Sequence, residues 1–244
     1  GRVPPSYTDF LDANGLRGAR IGILREPMGY NTDPEAEDFK SITGTLDNAV
    51  EELRAAGAEV VDPVELKRLN ELLAKRCPTP SAGETAFGIY MSRSANPPYR
   101  TRKDAMRSPE FAHLSEQAKL RLQVNADPAD HYQYLLAREH LMTHTLKTMA
   151  EHRLDAIVHK GVEHQPTLIA DGLTPPYVNH KGAPHLNTFL VYVPTVTVPA
   201  GFTADGLPAG ISFLGRPYDD GNMIRFAYAY EQATHHRQPP VATP

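Results

Sequence analysis

A strand, a long amphipathic helix and a second strand follow one another near the start of the chain. The first strand is predicted over residues 19–24 and the second over residues 58–61. Asp33 and Pro34 supply the cap and the first-turn proline of the helix, and Gly57 stands where a left-handed residue ends it. Apolar residues recur at helical spacing between them: Phe39, Ile42, Leu46, Ala49, Val50 and Leu53. This order predicts two parallel strands joined by a right-handed crossover.

The second half of the chain extends this pattern into a mixed sheet. A helix is predicted over 129–152, then a strand over 155–158, and a hairpin of strands 194–199 and 209–214 that turns at Asp205-Gly206. The buried face of the 129–152 helix is predicted to be Leu135, Met142, Leu146 and Met149, with Tyr134 and Leu141 at its edge. A last helix is predicted to be capped by Asp219 or Asp220. Its buried face is predicted to be Met223, Phe226, Ala227, Tyr230 and Thr234. The predicted fold class is α/β, a large mixed β-sheet flanked by helices.

An irregular helical insertion is predicted at about 62–128. Helical stretches at 66–75, 84–93 and 114–124 are separated by prolines, which interrupt a continuous helix. Basic residues dominate positions 94–108, where Asp104 is the one acidic residue. That pattern favours a solvated and mobile loop, and binding of a phosphate or carboxylate is the alternative.

Composition excludes several classes of partner. Twenty-five basic against twenty-nine acidic residues give a formal charge of −4, which argues against nucleic acid as a ligand. The sequence has no run of about 18 apolar residues, so we expect no membrane span. Because Cys77 is the single cysteine, neither an internal disulfide nor a thiolate metal site is expected, and the cytoplasm is the predicted compartment.

The usual sequence settings of a catalytic serine are missing. The chain contains no Gly-Gly pair, no Ser-Ser pair and no Gly-x-Ser-x-Gly motif. It opens with Gly1 rather than an initiator methionine and has no signal-peptide core, so we expect it to be part of a larger chain. Ser81 and Glu84 have the spacing of a capping box, Ser212 lies within a predicted strand, and Cys77 precedes a proline, so none is predicted to be a nucleophile.

Eleven histidines raise the question of a metal site. His140 and His144 are one helical turn apart, but they share a polar face and lack a third ligand, so a solvated face is the preferred interpretation. Four more histidines, which fall in the loop-rich segment 159–185, could converge only if the fold brings them together: His159, His164, His180 and His185. We therefore predict no metal, no cofactor and no catalytic residue in this chain.

The C-terminal run carries a family resemblance. The strand from Pro194 to Pro199 leads through Ala200-Gly201 to the Asp205-Gly206 turn, and the segments 213–220 and 227–234 follow. In this order the pieces resemble the C-terminal third of amidase-signature hydrolases, and the segments 18–26, 57–63 and 154–158 are similar to earlier strands of that family. The resemblance spans residues 16–240, with a gap at 78–128.

The resemblance implies both an activity and an incomplete site. Amidase-signature enzymes hydrolyse carboxylic amides through a Ser–cis-Ser–Lys triad, in which serine attacks the carbonyl and a neutral lysine is the ultimate base. All three residues lie upstream of the strand that corresponds to 19–24, so none is assigned here, and Lys160 falls in the wrong part of the pattern. The resemblance therefore implies the C-terminal half of an amidase, inactive alone, which needs the missing N-terminal part as its partner.

The short helix predicted over 186–192 is the part that the resemblance places beside the acyl side of the substrate. Asn187, Leu190 and Val191 are the predicted substrate-binding residues, and the segment 159–185 is the expected place for specificity. The alternative is that Phe189, Leu190 and Val191 are ordinary core residues.

Two further functions stay open alongside an amidase for a small-molecule amide. One is a component similar to the A subunit of a tRNA-dependent amidotransferase, and the other is a non-catalytic binding or regulatory domain built on half of the fold. Half a sheet also predicts an exposed apolar strand edge, which the N-terminal part or a second copy in a homodimer would cover.

Overall fold

A computed structural model of the chain describes residues 3–76, 83–123, 127–175, 181–184, 186–190 and 192–239. The chain divides into two compact units, Gly1–Leu73 with Leu141–Pro244, and Ala74–His140. The strands are β1 Arg20–Leu24, β2 Glu59–Val64, β3 Ala156–Lys160, β4 Thr195–Phe202 and β5 Pro208–Leu214. The α-helices are α1 Glu37–Ala55, α2 Leu69–Leu73, α3 Glu84–Met91, α4 Arg102–Arg107, α5 Pro109–Ala112, α6 Glu116–Gln123, α7 Pro128–Glu151, α8 Ile169–Leu173, α9 Leu186–Phe189 and α10 Asp220–Thr234. None of the helices within these ranges is both long and apolar enough to cross a membrane.

The five strands form one mixed sheet in the first unit. Their order is β2-β1-β3-β5-β4, with β1 parallel to both β2 and β3 and with β5 antiparallel to both β3 and β4. The predicted α/β class and mixed sheet are confirmed. Strand β4 extends beyond its predicted end at Pro199. The pairing with β5 shifts register between Pro199 and Gly201 and then continues as far as Phe202. Gly201 has a φ of 115°, which suits glycine at such an irregularity.

Helices α1 and α10 pack on one face of this sheet and form the main core. Side chains of both helices join Ile21 and Ile23 of β1, Val158 of β3 and Phe213 of β5 in one buried cluster. The predicted apolar residues of α1 are all buried, as are Met223, Phe226, Ala227 and Tyr230 of α10. Burial of apolar faces at helical spacing is what joins these helices to the sheet.

The predicted C-terminal cap of α1 is confirmed, but its predicted N-terminal cap is not. Gly57 has a φ of 95°, and the Ala58 and Gly57 amides donate to the carbonyls of Leu53 and Arg54, as a glycine C-terminal cap requires. The predicted N-terminal cap is wrong. Asp33 heads a separate turn, accepting the Ala36 amide on its carbonyl, and the helix begins at Glu37.

Helix α7 buries a different stripe from the predicted one. Leu135 is exposed and Met142 and Leu146 are only half-buried, whereas Leu141, Thr145, Thr148 and Met149 are buried. The two threonines are accommodated because their hydroxyls donate to the Leu141 and Glu65 carbonyls. A pattern that counts threonine as polar therefore misplaces this helix face.

The second unit holds helices α3 to α6, in the part of the chain where an irregular insertion is predicted. The expected loop at 94–108 is wrong in its second half, which forms α4 and leads into α5. Asp104, the acidic residue of this stretch, caps the start of α4. It forms a capping box with Thr101, in which each side chain bonds to the backbone of the other.

Candidate functional site

The carboxyl ends of the parallel strands β1 and β3 lie side by side in the sheet. In open α/β sheets, ligands bind beyond such carboxyl ends. The chain leaves β1 through residues 25–33 and leaves β3 through residues 161–167, so the side chains of these two segments form the candidate site.

Glu163 holds the segment that follows β1. Its side chain is fully buried, and its carboxylate accepts hydrogen bonds from the Met28 amide at 2.9 Å, the Gly29 amide at 2.7 Å and the Thr32 hydroxyl at 2.6 Å. The Glu163 amide donates to the Gly182 carbonyl at 2.9 Å. One carboxylate thus fixes residues 28–32 against the end of β3.

His164 continues the same attachment as a neutral imidazole. Its Nε2 accepts the Asp33 amide at 2.9 Å, so the ring proton is on Nδ1, which donates to Asp38 Oδ2 at 2.9 Å. Burial alone would raise the pKa of Asp38, but the hydrogen bonds from the His164 ring and the Gln165 amide hold that pKa below its ordinary value. The pair ties the segment 33–38 to the loop after β3.

Lys160, the last residue of β3, is buried on the face of the sheet that α1 covers. Its Nζ lies 3.6 Å from the centroid of the Phe39 ring and donates to the Thr43 hydroxyl at 3.1 Å. Burial lowers the pKa of Lys160, and the nearby Arg25 lowers it further, whereas Glu163 and Asp47 oppose this shift. The lysine is therefore held by α1 and is not presented to solvent.

The lowered pKa of Lys160 makes stability depend on pH. Between that pKa and the ordinary lysine value near 10.5, the unfolded chain binds a proton that the folded chain does not, so the free energy of unfolding should rise with pH. Lys160→Met should flatten this rise in urea denaturation midpoints measured from pH 7 to 10. Lys147→Met, at an exposed lysine, is the matched control and should leave the slope in place. An unchanged slope in Lys160→Met would contradict the assignment. Measurements stop near pH 10 because the raised pKa of the buried Tyr230 hydroxyl gives the opposite trend above it.

The predicted substrate-binding residues lie around α9. Asn187 is half-buried, and its Oδ1 accepts the Thr195 hydroxyl at 3.4 Å. Leu190 is buried, and its amide donates to the Leu186 carbonyl at 2.9 Å. Val191 lies outside the described residues. The contact of Asn187, Leu190 and Val191 with substrate stays a prediction.

A separate cavity of about 380 Å³ lies beside the His164 attachment. Its walls combine the apolar side chains of Ile42, Val162 and Leu207 with the polar side chains of His164, Gln165 and Lys181. Gln165 is already engaged, because its Nε2 donates to both carboxylate oxygens of Asp205 at 2.9 Å.

The remaining residues considered as nucleophiles or metal ligands are Ser212, His140 and His144, which the structure describes, and four others, which it does not. Ser212 is buried, and its hydroxyl lies 2.8 Å from the Thr197 hydroxyl. His140 is exposed and His144 is half-buried. Cys77, Ser81, His180 and His185 lie outside the described residues. Within the described ranges, no three His, Cys, Asp or Glu side chains are grouped so as to hold a metal ion.

Sequence reasoning missed Glu163, His164 and Asp38 as a group. One signal was available, since polar residues directly after a predicted strand often lie at the carboxyl edge of the sheet. Their partners, however, are separated from them by 126 to 135 residues, and no local spacing joins them.

Comparison with known proteins places the chain in a family. The family model described as Amidase matches residues 3–224. The A subunit of the glutamyl-tRNA(Gln) amidotransferase of Ralstonia pickettii is 28% identical over 251 residues, covering 93% of this chain and 47% of that protein. Its counterpart in Desulforudis audaxviator is 52% identical over 56 residues, which cover 22% of this chain and 11% of that protein.

A solved structure gives the same result for the fold. The native peptide amidase of Stenotrophomonas maltophilia is similar with a TM-score of 0.71 and 27% identity, covering 98% of this chain and 48% of that one. The chain thus spans about half the length of the proteins that it matches along its whole extent. With a family match over nine-tenths of its length and the mixed sheet described above, the chain belongs to the amidase-signature family.

Proposed function

We propose that this chain is the C-terminal part of an amidase that hydrolyses carboxylic amides to an acid and an amine or ammonia. The observation that carries the proposal is the likeness to the peptide amidase, which extends over 98% of this chain but only 48% of that structure. A serine nucleophile, its cis-serine and its lysine would then belong to the other half.

This chain would supply the sheet and one wall of the pocket. Asn187, Leu190 and Val191 are proposed to line the acyl side of that wall. On this proposal neither Lys160, which donates to the Thr43 hydroxyl, nor Ser212, which lies 2.8 Å from the Thr197 hydroxyl, belongs to the serine–serine–lysine relay. On this proposal the chain alone is inactive.

Ammonia release from a series of linear amides tests the proposal. The chain is assayed alone and when expressed together with its preceding coding region. We expect hydrolysis only in the second case. Turnover that purifies with the isolated chain would overturn the proposed inactivity, and no turnover of any amide by the joined protein would overturn the amidase.

A second candidate is the A subunit of a tRNA-dependent amidotransferase. The 52% identity to the Desulforudis audaxviator protein, over 56 residues, is the observation that favours it. Such a component should release ammonia efficiently only with its partner subunits and aminoacylated tRNA, whereas an amidase needs neither. A non-catalytic binding or regulatory domain is the third candidate, and a preceding coding region without a serine-rich loop would favour it.

The proposed partner of this chain is the N-terminal part of the same enzyme, and a homodimer is the alternative. Within the described residues, β2 and β4 each pair on one side only, and such edges can accept another strand. Light scattering at tens of micromolar should show association of the isolated chain. A monodisperse monomer would contradict this. The cytoplasm remains the proposed compartment because of the single cysteine.

A further inference from the structure

The cavity of about 380 Å³ lies at the carboxyl end of β3, because Val162 and His164 of its lining directly follow this strand. Strand β1 pairs with β2 on one side and with β3 on the other, so the strand order reverses between β1 and β3. Open α/β sheets bind their ligands in the crevice beyond the carboxyl ends of the strands at such a reversal. The cavity therefore has both the size and the position of a small-molecule site.

Hydrogen bonds within the chain hold the walls of this cavity in place. The Gln165 amide, which donates to both carboxylate oxygens of Asp205, joins the loop after β3 to the turn of the β4–β5 hairpin. In that turn the Leu207 amide donates to the Thr203 hydroxyl at 3.2 Å, and the Thr203 amide donates to the Leu207 carbonyl at 2.8 Å. Because the walls are already ordered, a ligand binds without the cost of ordering them.

Lys181 is the one cation among the described residues that line the cavity, and it is half-buried. His164 lines the cavity as a neutral ring with both nitrogens engaged, whereas His159 is buried within β3. Lys181 lowers the pKa of Asp38, but this carboxylate already accepts hydrogen bonds from the His164 ring and the Gln165 amide. The described lining contains no carboxylate, so the charge of Lys181 favours an anionic ligand.

Most of the other side chains that line the cavity are apolar. The cavity has the volume of about twelve water molecules at ~30 Å³ each, which suits a ligand of about ten non-hydrogen atoms. Such a ligand would bury most of its surface against apolar walls and meet one ammonium group. Besides the hydroxyl of Thr167, these walls are formed by Ile42, Val162, Pro166, Ala183, Leu207 and Pro208.

We propose that this cavity binds a small carboxylic acid, with the carboxylate at Lys181 and the apolar chain of the acid against the apolar walls. One ammonium group balances the single charge of a carboxylate, whereas a phosphate group carries more charge and needs more donors. Burial of the apolar chain supplies affinity, and the ion pair selects against neutral ligands. The described lining contains no residue of α9, so this inference depends neither on the proposed amidase function nor on the acyl wall proposed there.

Calorimetric titration of the chain with octanoate, octanamide and acetate tests the proposal without any assay of activity. Octanoate should bind at a single site. Octanamide has the same shape but no charge, so it should bind about tenfold more weakly or worse. Acetate keeps the charge but lacks the apolar chain, so it too should bind about tenfold more weakly or worse. Equal affinities for octanoate and octanamide, or tighter binding of inorganic phosphate than of octanoate, would overturn the carboxylic acid as the ligand class.

Two substitutions separate the charge from the apolar wall. Lys181→Met keeps a long side chain without its charge, so it should reduce the preference for octanoate over octanamide to near one. Val162→Thr keeps the shape of the wall but adds a hydroxyl, so it should weaken both ligands alike and retain the preference. Lys147→Met, at an exposed lysine outside this cavity, is the matched control and should change neither affinity. An unchanged preference in Lys181→Met would overturn the site.

Methyl NMR of the chain places the bound acid. Octanoate should shift the methyl resonances of Ile42, Val162 and Leu207, and Lys181→Met should reduce these shifts at the same octanoate concentration. The methyl resonances of Leu69, which lines a different cavity, are the control and should stay in place. Shifts that spread over the chain, or that leave out the three lining residues, would show non-specific binding of octanoate and overturn the site.

Discussion

Replacing Glu163 with alanine is expected to lower the free energy of unfolding by about 3–5 kcal/mol. The carboxylate accepts three hydrogen bonds, from the Met28 and Gly29 amides and the Thr32 hydroxyl. Removal of the carboxylate leaves these three donors without an acceptor. Each buried donor left unpaired costs about 1–3 kcal/mol. Urea denaturation followed by circular dichroism measures the change.

Glu59→Ala is the control for this prediction. Glu59 is also a carboxylate that accepts a hydrogen bond, from Arg20 at 2.8 Å, but 65% of its side chain is exposed. Exposed ion pairs are worth about 0–1 kcal/mol, so the control should shift the midpoint little. If Glu163→Ala cost no more than the control, the carboxylate would be a passive neighbour of the segment 28–32 rather than its anchor.

Gly182→Ala is the second substitution with a large expected effect, at about 3 kcal/mol or more. Gly182 has a φ of 70°, and a Cβ there would lie 2.5 Å from the backbone nitrogen of His164. Relief of this clash requires the backbone to move, which strains the bonds from the Gly182 amide to the Tyr30 carbonyl and from the Glu163 amide to the Gly182 carbonyl. The loss should appear as a lower melting temperature and a lower denaturation midpoint.

Gly206→Ala separates the two causes of that loss. Gly206 also has a positive φ, of 79°, but a Cβ there would meet nothing within 4 Å. Only the backbone strain applies, so the expected cost is about 1 kcal/mol. Equal losses at both positions would mean that crowding against His164 contributes nothing.

The parts of the fold that the sequence predicted are those decided within a short stretch of chain. The cap at Gly57 depends on a few neighbouring residues, and the buried face of α10 depends on helical spacing. The start of α1 was missed because the Asp33 amide is held by His164, 131 residues further along. In α7 the Thr145 hydroxyl donates to the Leu141 carbonyl of the same helix, so this polar side chain can be buried. A hydrophobic pattern, which counts threonine as polar, therefore places it on the wrong face.

In the candidate site too, local features could be predicted from the sequence and long-range contacts could not. A short helix was predicted over 186–192 from local residues, and the structure has one over Leu186–Phe189. The Glu163 and His164 attachments could not be predicted, because they join the ends of two strands that become neighbours only when the sheet forms. The family resemblance predicted a substrate contact at Asn187, Leu190 and Val191 but assigned no role to Glu163 or His164.

The placement of β1 between β2 and β3 also sets the order in which the sheet can assemble during synthesis. Strand β2 follows β1 closely, whereas β3 begins only at Ala156. At ~5–20 residues per second, the ribosome needs roughly 5–20 s to make residues 65–155. For that time the inner edge of β1 has no partner strand, and Glu163 and His164 do not yet exist to hold residues 28–33. A nascent chain of this kind therefore exposes a pairing edge while its second unit is being made, which is the interval in which a chaperone would bind it.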